Sequence, residues 1–305
     1  MKIIKGGVTA ALGFKANGMS CGIKKSGKPD LALIACDFPA SAASVFTKNS
    51  IKAAPIIVSA EKMRFKKAQA IIVNSGNANC FTGSFGLLYA RQSTELIAQL
   101  MNINSDHVLV ASTGIIGRPL AYKKIEEAAP RLVAGLSARH GKKAAQAILT
   151  TDKQIKETAV TFFLGAKKVT IGACAKGSGM IQPNMATMLG FITTDCAIAQ
   201  PLLAQGLRLG VEPSFNSITV DGCMSTNDMV IILASGLAGN KTIKSRGKDF
   251  ETFCQALNFV CLDMAKKIVL DAEGATKFIE VTVTGAASYR QAKAAALAIA
   301  NSNLV

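Results

Sequence analysis

The stretch Ala175-Lys-Gly-Ser-Gly-Met-Ile-Gln-Pro-Asn-Met-Ala-Thr-Met-Leu-Gly190 decides the reading of this chain. A β-branched run, residues 169–174, precedes it and an apolar run, residues 189–193, follows it; both have the length and composition of strands. Between them a glycine-rich turn carries Lys176 and leads through Pro183 and Asn184 to Ala186 and Thr187. The order Gly-x-x-x-x-Gly-Lys-Ser/Thr is missing, so the turn is not a phosphate-binding P-loop. A hydroxyl residue held between a glycine turn and a strand suits nucleophilic attack instead.

Outward from this stretch, short β-type runs alternate with longer helical ones. Strands are expected over 31–36, 55–59, 70–74, 108–112, 169–174, 189–193, 230–234 and 278–284. Helical periodicity is clearest over 253–270, where Phe253, Leu257, Val260, Cys261, Met264 and Ile268 recur at three- and four-residue steps. Residues 85–100, 122–136 and the alanine-rich 287–301 read as further helices. The expected class is α/β, with mixed sheets layered with helices and no internal repeat or linker.

Composition narrows the function classes. Half of the 305 residues are hydrophobic and 18% charged, which excludes disorder. No apolar run approaches the roughly 18 residues of a membrane span, and the glycine-broken stretch between Lys2, Lys5 and Lys15 is too weak for a signal peptide, so a soluble, cytoplasmic protein is expected. The eight cysteines include no Cys-x-x-Cys pair and only two histidines accompany them, which argues for reduced, mostly buried thiols and against a metal site. The formal charge of +16 falls wholly within residues 1–186, while 187–305 balance. The basic pairs are scattered and lack interleaved aromatics, so a solvated surface is the expectation rather than a nucleic-acid site.

Three more segments concentrate Gly, Ser, Thr and Asn. Asn74-Ser-Gly-Asn-Ala-Asn79 follows a strand and offers turns or exposed N–H groups. Ser112-Thr-Gly-Ile-Ile-Gly117 ends another strand; it is either a plain turn or a place where a Thr hydroxyl and a backbone N–H converge on an oxyanion. Asp221-Gly-Cys-Met-Ser-Thr-Asn-Asp228 reads as turn chemistry more readily than as a cation loop. Neither His107 nor His140 lies in such a segment, so a histidine-based triad has poor support. A nucleophile without histidine needs another base, and an α-amine released by self-cleavage is one solution.

At these residues the sequence closely resembles the ornithine acetyltransferase family, the bifunctional glutamate N-acetyltransferases of arginine biosynthesis. Residues 176–189 are similar to that family's cleavage and nucleophile motif. Asn74–Asn79, Ser112–Gly117, Thr150-Thr-Asp152, Ser225-Thr-Asn-Asp228 and Ala272-Glu-Gly-Ala-Thr-Lys277 match in order. The resemblance implies a self-cleaving N-terminal-nucleophile acyltransferase fold of the ornithine acetyltransferase and aminopeptidase type. It implies a cut between Ala186 and Thr187 into an α chain, 1–186, and a β chain, 187–305, pairing as a heterotetramer. Thr187 is then the acetyl-accepting nucleophile, and its new α-amine, with an ordinary pKa of about 7.7–8.0, the base. Thr113 and Gly114 match the oxyanion pair. Thr150, Lys176, Thr187 and Glu273 match substrate-binding positions, Lys176 for a carboxylate and Glu273 for an ammonium.

The implied reaction is ping-pong transfer of acetyl from N-acetylornithine to glutamate, with no cofactor; whether acetyl-CoA serves as a second donor stays open. Read without the resemblance, Lys176 is a surface lysine, Glu273 a helix-end carboxylate and Thr150 an N-cap. The chain departs from the family's pattern at Cys223 and Met224, where the family shows Asp and Thr. It also ends where relatives continue, so a C-terminal truncation is expected. Two alternatives accompany the transferase: a self-cleaving aminopeptidase or amidase of similar fold, and an inactive truncated relative acting as a basic binding protein.

Overall fold

The computed structural model describes residues 1–181, 188–302 and 304. The strands are β1 (Lys2–Ile4), β2 (Phe14–Met19), β3 (Leu31–Phe46), β4 (Lys67–Asn77), β5 (Val108–Ile115), β6 (Lys156–Leu164), β7 (Lys167–Lys176), β8 (Leu189–Thr194) and β9 (Met229–Ala234). The helices are α1 (Ala54–Lys62), α2 (Gly83–Met101), α3 (Tyr122–Ala134), α4 (Gly141–Ala147), α5 (Gln200–Val211), α6 (Lys248–Leu270) and α7 (Tyr289–Ala300).

One hydrogen-bonded path runs β1-β6-β7-β8-β9-β3-β4-β5, with β2 also on β3. The pairs β4/β5 and β8/β9 are parallel and the others antiparallel. The 16-residue β3 is the hinge of this path. Its first half, Leu31 to Ala35, pairs with β2 and β4, and its last residues, Ser41 to Phe46, pair with β9. The register breaks between Ala35 and Ala40, where Pro39 has no N–H to give a ladder.

Alternation along the strands shows how the sheet folds on itself. Ala32, Ile34, Ile71, Val73, Leu109 and Ala111 share one core with Leu189, Phe191, Met229, Ile231 and Leu233. Their neighbours in sequence face outward. Leu31, Leu33, Ile72, Val108 and Val110 pack under α2 and α3, while Ile192, Val230 and Ile232 pack under α5 and α6. Because strand side chains alternate faces with period two, the result is four layers: helices, sheet, sheet, helices. The helices α5 and α6 approach closely because Gly206 and Gly210 lack side chains; a Cβ at Gly210 would lie 3.2 Å from Cys261 Sγ. All eight cysteines are unpaired and five of them are buried, as expected.

Two expected strands are corrected. Residues 55–59 are helical, within α1, because Pro55 sits in its first turn and Ser59 ties it to β5: Ser59 Oγ donates to Val110 O at 2.6 Å and accepts from Val110 N at 2.9 Å. Residues 278–284 form no strand, since no neighbouring strand satisfies their backbone and they lie exposed or nearly so. The short or polar β1, β2 and β6, and the helices α4 and α5, were not expected from periodicity.

Candidate active site

The parallel pair β4/β5 ends in a polar truss. Ser112 Oγ donates to Asn74 Oδ1 at 2.6 Å, and Asn74 Nδ2 donates to Asn77 O at 2.8 Å. Asn77 Oδ1 accepts from Asn79 N, and its Nδ2 reaches Arg118 O and Pro119 O. The asparagines thus hold the strand ends together rather than presenting an N–H cradle. Within this truss Thr113 is buried, and Gly114 takes φ +133°. A Cβ on Gly114 would lie 2.3 Å from the carbonyl carbon of Gly76, so only glycine allows β5 to meet β4 here.

A second cluster gathers where β7 ends. Lys176 is buried, with its ammonium 3.7 Å from Asp152 Oδ2. Asp152 also accepts from Thr150 N at 3.0 Å, Lys156 Nζ at 2.7 Å and Gly177 N at 2.7 Å. Lys156, fully enclosed, bridges on to Asp271 at 2.5 Å. Burial works against the Asp152 carboxylate, but Lys176 and Lys156 outweigh it and hold its pKa down at about 2. Desolvation lowers the pKa of Lys176, and Asp152 opposes that loss of charge. Asp271, at the end of α6, joins the cluster to the segment behind it: its carbonyl accepts from Ser178 Oγ, and Glu273 N donates to Ser178 O at 2.9 Å. The Glu273 carboxylate, solvent-exposed, lies against Gly179, where a Cβ would sit 3.0 Å from it.

The loop 225–228 ties both clusters to the start of β8. Asn227 Nδ2 donates to Ser112 O at 2.9 Å and to Ala78 O at 2.6 Å, gripping the residue before Thr113. Asp228 Oδ1 accepts from Met188 N at 2.8 Å, while its Oδ2 is buried without a hydrogen-bond partner among the described residues. Burial pushes the Asp228 carboxyl well above the usual carboxylate range, and Lys176 partly offsets this. Upstream, Asp221 accepts from the N–H groups of Met180, Ile181 and Cys223. The exceptional Cys223 and Met224 keep the loop bonded through their backbones, Met224 O accepting from Asn49 Nδ2.

The structure therefore brings Thr150 and Lys176 together on Asp152, ties the main chain of Glu273 to that cluster through Ser178, and links Thr113 and Gly114 to it through Asn227 and Asp228. Ala186 and Thr187 lie outside the described residues. Sequence reasoning assigned no role to Asp152, Asn227 or Asp228, although it quoted the motifs containing them. Lys156 and Asp271 carried no signal at all, being one of two adjacent charges at the start of a strand and one charge at a helix end. Among the described residues no group of three or more His, Cys, Asp or Glu side chains could hold a metal ion.

The model of the ArgJ family matches residues 15–305. The chain is 47% identical over 307 residues to the arginine biosynthesis bifunctional protein ArgJ of Symbiobacterium thermophilum, covering 100% of this chain and 76% of that protein. The crystal structure of ornithine acetyltransferase complexed with ornithine, from Mycobacterium tuberculosis, is 33% identical with a TM-score of 0.56, over 61% of this chain and 98% of that one. The L-aminopeptidase D-Ala-esterase/amidase from Ochrobactrum anthropi, a variant of the Ntn hydrolase fold, is 10% identical with a TM-score of 0.50, over 88% of each chain. The last likeness is one of fold alone, and the fold is the one the resemblance implied.

Proposed function

The chain belongs to the ArgJ family, and on that premise we propose that it carries acetyl from N-acetylornithine to glutamate through an ester on Thr187. It is an acetyltransferase of arginine biosynthesis; the nucleophile, its release and the substrate contacts are the parts proposed. The observation that carries the reading is 47% identity across the whole chain, with the segments at 112–117, 150–152, 176–189 and 272–277 all present.

Cleavage between Ala186 and Thr187 leaves chains 1–186 and 187–305 and frees the Thr187 α-amine. That amine takes the hydroxyl proton as Thr187 Oγ adds to the acetyl carbonyl of N-acetylornithine. The Thr113 hydroxyl and Gly114 N–H stabilise the oxyanion, and the proton passes to the departing ornithine nitrogen. The α-amine of glutamate then attacks the ester, N-acetylglutamate leaves, and Thr187 is restored. Lys176 receives the substrate α-carboxylate, with Asp152 keeping its ammonium charged, and Glu273 faces the ornithine ammonium. Thr150, whose N–H is fixed by Asp152, lines the same place.

An ester stores the acetyl group without a cofactor. Acetyl-CoA as a second donor is read by glutamate acetylation with acetyl-CoA alone. We place the processed enzyme in the cytoplasm as two α–β pairs; no described helix is long and apolar enough to cross a membrane. The test is ornithine release from N-acetylornithine with and without glutamate. Release that depends on glutamate, with matching N-acetylglutamate, supports transfer. Equal release without glutamate, yielding acetate, means hydrolysis and overturns it.

A further inference from the structure

Lys24 lies on the loop between β2 and β3 and was given no role by the sequence motifs. Its backbone is fixed by Asp30, whose two oxygens accept from Cys21 N at 2.6 Å and Lys24 N at 2.8 Å. Asp30 in turn is bound to the end of β4 through Ser75 N, which donates to Asp30 O at 2.8 Å. The Lys24 stem lies over Gly76, where a Cβ would sit 2.9 Å from Lys24 Cγ; Gly76 is the residue paired with Gly114. Its ammonium donates to Pro29 O and Leu149 O, each at 2.7 Å, and Leu149 precedes Thr150. Lys24 therefore spans from the end of β4, the strand paired with Thr113 and Gly114, to the Thr150 segment.

The electrostatics of the position are unlike those of its neighbours. Lys156 is paired with two carboxylates, and Lys176 has Asp152. None of the ion pairs among the described residues uses Lys24, whose two acceptors are both neutral carbonyls. An ammonium has three N–H donors, so one is left for a ligand. Asp30 and Asp152 favour its charge, Lys176 and Lys28 oppose it, and desolvation is the largest influence, bringing its pKa down to about 8. A neutral amine has only two N–H donors, both already engaged by carbonyls here. Loss of the proton thus removes the charge and the spare donor together.

We propose that Lys24 is a specificity-determining residue that binds the side-chain carboxylate of the acetyl acceptor, a second anionic group that the acetyl donor lacks. This rests on the transfer reaction proposed above. Both substrates present an α-carboxylate, which Lys176 takes. Their far ends differ in sign: an ammonium on the donor suits Glu273, and a carboxylate on the acceptor needs a second cation within reach of the same pocket.

The experiment measures KM for N-acetylornithine and for glutamate separately, from pH 7 to 9, in the wild type, Lys24→Met and Lys24→Arg. The expected result is a glutamate KM that rises at least tenfold more than the N-acetylornithine KM in Lys24→Met, and partial recovery in Lys24→Arg. In the wild type the glutamate KM rises as pH passes about 8, and this rise is lost in Lys24→Arg, because the guanidinium stays charged. Should Lys24→Met fail to fold, the pH comparison of the wild type with Lys24→Arg decides alone. Equal changes in both KM values, no change in either, or a pH-dependent rise that persists in Lys24→Arg would each overturn the proposal. A wild type that releases no ornithine from N-acetylornithine refutes the transfer reaction itself, a separately visible failure.

Discussion

Thr113 is held by neighbours on both sides: Ser112 is bonded to Asn74 and its carbonyl to Asn227, and Gly114 meets Gly76 at backbone contact. In the oxyanion role proposed above, so fixed a hydroxyl is worth most when charge develops on the substrate. Replacing Thr113 with alanine is expected to lower kcat by about 10²–10³, the effect of losing one oxyanion donor, with a smaller change in KM; steady-state kinetics check this. Asp152 makes a pH statement. Its carboxyl, held at about 2 in the fold against an ordinary 3.8, favours the folded state above pH 4 and loses that contribution as pH falls towards 2. The difference is about 2 kcal/mol. In Asp152→Asn the urea unfolding midpoint, followed by circular dichroism at a series of pH values, should therefore fall less steeply between pH 4 and 2 than in the wild type. Thr113, Gly114 and Lys176 stood out in the sequence as a hydroxyl beside a glycine and a lysine in a glycine turn, and the structure places them at the ends of β5 and β7. Lys156 and Asp271 were not, because a buried ion pair between residues 115 apart leaves no local pattern.

At the scale of elements, period governed success. The α6 helix was legible because its apolar residues recur on one face, and Phe253, Leu257, Val260, Cys261, Met264 and Ile268 are all buried there. Phe253 is fully enclosed and packs against Phe162 of β6, ring centroids 6.5 Å apart. Phe253→Ala should cost about 3–5 kcal/mol by leaving a cavity, read as a lowered midpoint in urea unfolding. The stretch 55–59 misled because Ile56, Ile57 and Val58 mimic a strand, whereas the proline in the first turn and contact with β5 select helix. Conversely β6 contains Lys156 and Glu157, charges that hide a strand whose lysine points into the ion cluster.

For the whole molecule, the four layers of helices, sheet, sheet and helices were not legible, although the α/β class was. Folding one sheet over itself depends on β3 changing neighbours at Pro39, a tertiary event that no local pattern announces. The consequence bears on processing. β8 lies between β7 and β9, and β9 lies against β3, so residues before and after the proposed cut alternate within one ladder. The two products should remain together: size-exclusion chromatography in native buffer should give one peak containing both chains, separable only with denaturant. Elution as separate species would contradict the shared core.

The most direct test of the central claim is to quench the enzyme with acid after mixing with N-acetylornithine in the absence of glutamate, and to map the acetyl group by peptide mass spectrometry. The expected result is a chain beginning at Thr187 that carries one acetyl as a hydroxylamine-labile ester on that residue, and that loses it when glutamate is added before the quench. An uncut chain, an acetyl group on another residue, or an acetyl that glutamate does not discharge would contradict it.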